Sequence, residues 1–508
     1  MDPLHPAHGK PPRAGAREAY LAIERFLKAR RQPVLMEPGE DPLPIASDTF
    51  ALKCHGETVV LESWNETRNL VRRIRGIRLE RRGRLEVDVE RFGRLTGTLA
   101  LVDLDNPSNR DADRRGARLK YRELFRRSLR RQFPDWRLAE ISTEQDLHHS
   151  LSPSYPRALL RKGKSGMAAI GAAEDSPDPD GALSFGLIWL DYLRRREHAA
   201  IEGLAIFVPA GAEHTTCHRI RFLNPHAARY AVFVQDPRGH EDAVDPGDYT
   251  NLDTRLEPCR RPLAESGRQL IDWVERLSRN GGVERRDRPD GSVSLAVHGL
   301  EFARAAGEEL LFGLDQKHAA ASQAHLDEIE RLARELARMR NADADDRANP
   351  LYTSHPEAWL ESQVRSSVES LDPALYPNPV YGQVPQVAGG DRSVIDLLAV
   401  DRDGRLAVIE VKAEQSVRLP LQALDYWMRV KWHVERGEFS GQGYFPGIPI
   451  RTEAPRLILL APALEYHPSN KTVLKYFSPQ IAVERLGVGL EWKRDLKVMF
   501  RVPGIPWP

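Results

Sequence analysis

Asp396, Glu410 and Lys412 are the residues in this sequence best placed to do chemistry. They fall within residues 393–427, SVIDLLAVDRDGRLAVIEVKAEQSVRLPLQALDYW, which reads as strand, tight turn, strand, short loop and helix. Side chains two apart on a strand share a face, so Leu406, Val408, Glu410 and Lys412 point one way. Arg402-Asp403-Gly404 suits a three-residue hairpin loop, with Gly404 in the left-handed position of a bulge. Asp401 then pairs with Arg405. Counting away from the turn sets Val400 against Leu406, Leu398 against Val408 and Asp396 against Glu410, and a slip of one residue would break the alignment. Two carboxylates and an ammonium group therefore converge at the open end of an otherwise apolar hairpin. That set suits a hard divalent cation held by oxygen ligands, beside a cationic group able to meet a phosphate. Acids opposed within apolar strands are costly unless a cation joins them. Asp401 and Asp403 read as turn residues only.

Two helices must flank this hairpin. Gln422 and Tyr426 are four apart in the apolar run LPLQALDYWMRV and share a helix face one turn apart. Upstream, PEAWLESQVRSSV reads as a helix carrying Glu357 and Glu361. A glutamate-bearing helix, a D-x13-E-x-K hairpin and a Q-x3-Y helix together resemble the PD-(D/E)xK nuclease superfamily, and within it the RecB-type branch that includes the NucS-like endonucleases. The resemblance covers residues 351–465 and rests on Glu361, Asp396, Glu410, Lys412, Gln422 and Tyr426, with Ile395 in place of the motif's proline. It implies an α/β domain of restriction-endonuclease-like fold: a small mixed sheet flanked by helices, with the site at its edge. It implies metal-dependent hydrolysis of DNA phosphodiesters. Mg2+ or Mn2+ would sit on Asp396 and Glu410, with the Val411 carbonyl as a further ligand and Glu361 completing the shell. Glu357, one turn earlier on the helix, competes with Glu361 for that place. Lys412 would orient the attacking water or stabilise the pentacovalent charge. Gln422 and Tyr426 would position the DNA backbone or the water network.

The rest of the chain sets bounds on this reading. At 508 residues it is too long for one ordinary core. Acids and bases balance at +1, so net charge says nothing about nucleic acid. Cys54, Cys217 and Cys259 are widely spaced, which excludes a cysteine zinc site and a disulfide framework and fits a reducing cytosol. No apolar run reaches membrane-spanning length, and the start lacks a signal-peptide core, so a soluble, cytoplasmic protein with no membrane partner is expected. No G-x4-G-K-[S/T] is present, which argues against an ATPase.

Residues 1–15 read as a disordered tail. An amphipathic helix (REAYLAIERFLKAR) and strands around FALKCH and TVVLESW fill residues 16–66. From Thr67 the chain is arginine-rich, with strands, a basic loop (RDADRRGARLK) and a basic helix (YRELFRRSLRRQF). Arg72, Arg73, Arg75, Arg126, Arg127, Arg130 and Arg131 are the candidates for a DNA-contacting surface; a solvated charged face explains the same run equally well.

Residues 157–174, RALLRKGKSGMAAIGAAE, align without gaps on residues 396–413. A helix and two strands follow in both places, and the basic helix precedes the first as PEAWLESQVRSSV precedes the second. An internal duplication is expected, with a β module before each nuclease-like fold. In that alignment Arg157 replaces the aspartate, Gly171 the glutamate, Ala173 the lysine and Ile188 the glutamine, so the first copy is inactive. The expected segments are 67–240 for a β module and degenerate copy, 241–350 for a linker, second β module and long helix near 318–343, and 351–508 for the catalytic domain. Cutting both strands would use either the pairing of the two halves or a homodimer through the long helix. A DNA-binding protein without turnover, or a nuclease acting on RNA, are the alternatives; no RRM-like stacking platform favours RNA.

Overall fold

The computed structural model describes residues 16–504, save short internal stretches and most of 260–281. The tail expected at 1–15 lies outside the described residues, as does, save Arg276, the run LAESGRQLIDWVERLSR (263–279), whose pattern suggests a helix. The chain divides into two compact units, Met1–Leu124 and Phe125–Pro508.

The first unit packs a helix, α1, on an antiparallel sheet. Strands β1 (Pro33–Met36), β2 (Leu43–Pro44), β3 (Phe50–His55), β4 (Thr58–Trp64), β5 (Asn69–Arg81), β6 (Arg84–Arg91) and β7 (Leu95–Asp103) form a seven-stranded sheet in the order β2-β1-β7-β6-β5-β4-β3. Helix α1 (Ala16–Lys28) buries Ala19, Ala22, Ile23 and Phe26, at helical spacing, against Val59, Leu61, Ile74 and Val87 of the sheet. β4 and β5 pair with Val59 opposite Ile74, so the boundary expected between residues 66 and 67 falls inside a continuous sheet. The expected basic loop RDADRRGARLK is instead the start of α2 (Pro107–Gln132). Arg, Ala, Leu and Lys are strong helix formers, and the run needs no apolar stripe to adopt the conformation.

The second unit holds two sheets with matching topology. β8 (Arg137–Ser142), β9 (Arg157–Lys162), β10 (Ser165–Gly171), β11 (Ala200–Pro209), β12 (Arg229–Gln235) and β13 (Glu241–Val244) lie in the order β13-β12-β11-β10-β9-β8. β20 (Tyr381–Ala388), β21 (Asp391–Val400), β22 (Leu406–Val411), β23 (Arg456–Pro462), β24 (Val483–Val488) and β25 (Val498–Pro503) follow the same order, with β14 (Thr254–Leu256) added beyond β20. The three middle strands are parallel in both sheets, and the outer pairs antiparallel. β13 and β14 therefore tie residues after 240 into both sheets, which moves the boundaries expected at 240 and 350.

The hairpin β21–β22 has the register counted from its turn: Val400 opposes Leu406 and Leu398 opposes Val408, with Gly404 at φ 83°. The first hairpin does not obey the gapless alignment. Lys162 pairs with Ser165 around a loop one residue shorter. Leu159, Ala168 and Ile170 face one core, as Leu398, Val408 and Leu406 do, whereas Ala158, Leu160 and Ala169 face the other. The alternation sets Arg157 at the aspartate position, as expected, but corrects the second strand. Ile170, not Gly171, stands at the glutamate position, and Ala172, not Ala173, at the lysine position.

The two halves meet through their helices. α3 (Ala182–Arg196) and α4 (Glu213–Ile220) pack against α9 (Leu419–Glu435) and α11 (Ser469–Leu474) in one continuous core. The joint is two-fold in pattern. Asn224 N donates to Tyr476 O at 2.8 Å, and Ser478 N donates to Phe222 O at 2.9 Å. Between them Leu223 bridges Phe477. Asp425 on α9 receives Arg219 from α4 at 2.7 Å, while Asp191 on α3 lies 3.7 Å from Lys475 of the other half.

A small module braces the second half. β15 (Glu284–Asp287), β16 (Val293–Val297), β17 (Leu300–Ala306), β18 (Glu309–Phe312) and β19 (Ala319–Ala321) form an antiparallel meander under α5 (Leu326–Met339). α5 is shorter than the helix expected at 318–343. Its Ile329, Ala333 and Leu336 are buried in this module, so its apolar stripe is already used within the chain. Arg340, fully buried, caps the helix and donates to the carbonyls of His298, Leu351, Ser354 and His355 at 2.7–3.1 Å. After the short α6 (Pro350–Thr353), these last bonds fix the start of α7 (Pro356–Ser366), where Pro356 suits the first turn.

Gly299 is the tightest point of that contact. It sits at φ +83°, and a Cβ there would lie 2.0 Å from Ala358 O on α7. Gly299→Ala should destabilise the unit by more than the roughly 1–2 kcal/mol of the left-handed backbone alone. A thermal melt against Gly441→Ala checks this, since nothing lies within 4 Å of a Cβ at Gly441.

Asp372, just past α8 (Val368–Leu371), anchors the sheet's far end. Burial alone would raise its carboxyl, but Arg456 at 2.6 Å, the Ala374 amide and Arg501 outweigh burial and hold it below its usual value. A depressed folded-state value gives stability that is present above the unfolded carboxyl's range and lost as pH falls through the folded one. The loss of melting temperature between neutral and strongly acidic pH should therefore be smaller in Asp372→Asn than in the parent chain.

Candidate active site

The site forms where α7 crosses the ends of β21 and β22. An open cavity of about 380 Å³ there is lined by Glu357, Glu361, Asp396 and Val411, together with His355 and Glu414. Asp396 is held by its neighbour strand, its Oδ2 accepting from Val411 N at 3.0 Å. Glu410 lies within β22, whose every residue is buried, and is itself fully buried. Apart from Lys412, no donor among the described residues reaches its oxygens, and its carboxyl faces that of Asp396. Lys412 Nζ stands 3.3 Å from Glu410 Oε1 as an ion pair and 3.4 Å from Glu357 Oε2.

The electrostatics follow from burial. It raises the Glu410 carboxyl well above its usual range, with Asp396 adding to the effect. It also raises Asp396, against the pull of the Val411 amide and Lys412. For Lys412 burial works to lower the ammonium value, but Glu410, Asp396 and Glu357 overcome it and keep the group charged. Tyr426 is pushed up to about 12 by burial and Glu410, so its hydroxyl stays protonated. Gln422 Nε2 donates to Tyr426 Oη at 3.5 Å, one turn along α9.

The helix glutamates divide. Glu361 is buried and Glu357 is half-exposed. Burial raises Glu361, opposed by Arg286 and by Arg365, whose Nη2 is 3.6 Å from Glu361 Oε1. Gly382 leaves room for the pair: a Cβ there would be 2.7 Å from Glu361 Oε1 and 2.8 Å from Arg365 Nη1. Arg286 and Glu284 come from β15, and Glu284 accepts from Ser362 on α7. Sequence reading missed Arg286, Arg365 and Glu414, and gave His355 only as a surface or capping histidine; Arg365, at i+4 from Glu361, was the one with a local signal.

Among the described residues no group of three or more His, Cys, Asp or Glu is gathered closely enough to hold a metal ion. The donor set nonetheless fits a hard cation by its chemistry. Of the described residues only Lys412 approaches the buried Glu410 oxygens, none donates to Glu361 Oε1, and Asp396 stands beside them.

The seven candidate arginines do not form one cluster within a unit. Arg72, Arg73 and Arg75 lie on β5 of the first unit, where Arg75 pairs with Glu90. Arg126, Arg127, Arg130 and Arg131 lie on the second unit's part of α2. Arg131 is bound to Glu241 at 2.5 Å, while Arg127 and Arg130 are exposed.

No family model and no curated protein matches this chain. Among solved structures, Can2 from Sulfobacillus thermosulfidooxidans in complex with cyclic tetra-adenylate aligns over 58% of this chain and 93% of that one, at 7% identity and a TM-score of 0.13. So loose a superposition carries no argument about fold or function. The architecture that stands is mixed α/β, and no described helix is long and apolar enough to cross a membrane.

Proposed function

We propose that the Phe125–Pro508 unit is a metal-dependent phosphodiesterase acting on DNA, with its active site at Asp396, Glu410 and Lys412. The observation that carries this reading is the buried Glu410 carboxyl, turned to Asp396, whose Oε1 meets the Lys412 ammonium at 3.3 Å and whose Oε2 has no donor among the described residues. Buried carboxylates are seldom left so without a cation to join them.

Asp396, Glu410, the Val411 carbonyl and Glu361 would hold Mg2+ or Mn2+. Such an ion lowers the pKa of a bound water and shields a phosphate. The chain's own residues do the rest. Lys412, kept charged by three carboxylates, donates to a phosphate oxygen as negative charge builds in the pentacovalent state. Glu357 releases it when the phosphate takes its place. Tyr426, protonated throughout, donates from one helix turn beyond Gln422 and fixes the approach of the backbone. Arg286 and Arg365 act on Glu361 rather than on substrate and partly offset the burial that raises its carboxyl.

The matching sheets and the two-fold joint support an internal duplication in which the first half has lost these groups. They also favour pairing within one chain over a homodimer through α5, whose apolar face is occupied. The test is cleavage of linear, circular, single-stranded, flapped and mismatched DNA, and of RNA, each with Mg2+, Mn2+ or EDTA. Cutting that needs metal is the expected result; tight binding with no cutting under any condition would replace this reading with that of a binding protein.

A further inference from the structure

The first half keeps the outline of the catalytic half and reverses its charge. Phe125 and Leu129 on α2 cover Ala158, Leu160, Ala169 and Phe207 as Leu360 and Val364 on α7 cover Leu397, Ala399, Ile409 and Leu460. That correspondence places Arg126 where Glu361 stands, and β9 places Arg157 where Asp396 stands. Ile170 and Ala172 occupy the Glu410 and Lys412 positions. No cation can be held by such a set, but an anion can.

Arg157 is the central group. It is 5% exposed, and its Nη2 donates to Glu144 O at 2.7 Å. Its Nε and Nη1 meet no acceptor, and no described carboxylate forms an ion pair with it. Asp146, Glu140 and Glu144 act on it from a distance; the first two are paired elsewhere, with His149 at 2.7 Å and Arg196 at 2.5 Å, and Arg157 itself lies over the Trp189 ring at 5.6 Å. Beside it, Tyr192, at the Tyr426 position, stacks on Trp189 at 5.4 Å, and Arg196 lies over both rings at 5.2 and 5.6 Å. A buried guanidinium with no carboxylate in contact is costly, and its planar fork matches phosphate oxygens. Both bare nitrogens are closed off from water, so a phosphate reaches them by displacing the side chains that cover them.

We propose that the first half is a metal-independent phosphodiester-binding subsite centred on Arg157, which takes the second strand of a duplex whose first strand lies at Asp396 and Glu410. The assignment to a second strand rests on the nuclease reading and on the two-fold joint at Leu223 and Phe477, because a duplex presents its two backbones about a matching two-fold axis. The chain then grips both strands and cuts one.

The experiment is DNA binding in EDTA, by fluorescence anisotropy across a salt series, with a short duplex and a single strand of equal length. Arg157→Met should weaken duplex binding by about tenfold and lower the salt slope by about one, with a smaller effect on the single strand. Unchanged duplex affinity and slope in a variant that melts like the parent chain overturns the subsite. Equal loss on both substrates overturns the second-strand assignment. If Arg157→Met does not fold, the half-buried Arg126→Gln carries the same test with the same outcomes. Since no metal is present, the result is separate from catalysis. A chain that never cuts but binds duplex through Arg157 keeps the subsite and loses the nuclease reading, and one that cuts without needing Arg157 does the reverse.

Discussion

Lys412→Ala is expected to lower metal-dependent cleavage by about 10²- to 10³-fold in single-turnover assays, with little change in DNA binding. The size follows from position. The ammonium sits at the cavity edge, charged by Glu410, Asp396 and Glu357, and donates where a phosphate would gain negative charge. The variant should still fold. Glu410 loses its ion-pair partner, but burial raises its carboxyl and so favours the protonated form, which needs no such partner. Cleavage that persists at the parent rate in Lys412→Ala would remove the residue from the chemistry. Asp396→Asn should abolish cutting as well, by weakening metal capture, and raised metal concentration should restore part of the rate only in that variant.

Arg219→Met is expected to cost about 3–5 kcal/mol, read as a lower denaturant midpoint of the Phe125–Pro508 unit. Arg219 is 7% exposed and grips both oxygens of Asp425, at 2.9 and 2.7 Å, while donating to Asp180 O at 2.7 Å. Removing it leaves Asp425 uncompensated at the joint between halves. Pairing the change with Asp425→Leu should recover most of the loss, because the penalty lies in the stranded charge rather than in the missing bond. A double variant as unstable as the single one would show instead that the Asp180 carbonyl contact dominates.

The hairpin of the active site was legible because one residue, Gly404, fixes its turn, and the turn fixes every pair to Asp396 and Glu410. The same reasoning failed at residues 162–165, where an ungapped alignment hides a shorter loop. The alternation of Ala168 and Ile170 with Met167 and Ala169 was too uniformly apolar to betray the slip. Strands β3 and β4 were readable from FALKCH and TVVLESW, yet nothing local said that β4 pairs with β5 across the arginine-rich run. Arg286 was invisible for a related reason. It lies on a separate sheet, far before Glu361 in the chain, and long-range partners leave no periodic trace. The start of α2 was hidden by charge, since helix propensity without an apolar stripe looks like a loop.

The joint at Leu223 and Phe477 has a consequence for how such a chain can change over time. In a pair of identical subunits every substitution is written twice, once on each side of the axis, so the partners cannot diverge. Here the partners are consecutive stretches of one polypeptide. Each position can vary alone, and the encounter of the two does not depend on dilution. An arginine at 157 matched to an aspartate at 396 is an asymmetry that two identical subunits could not carry.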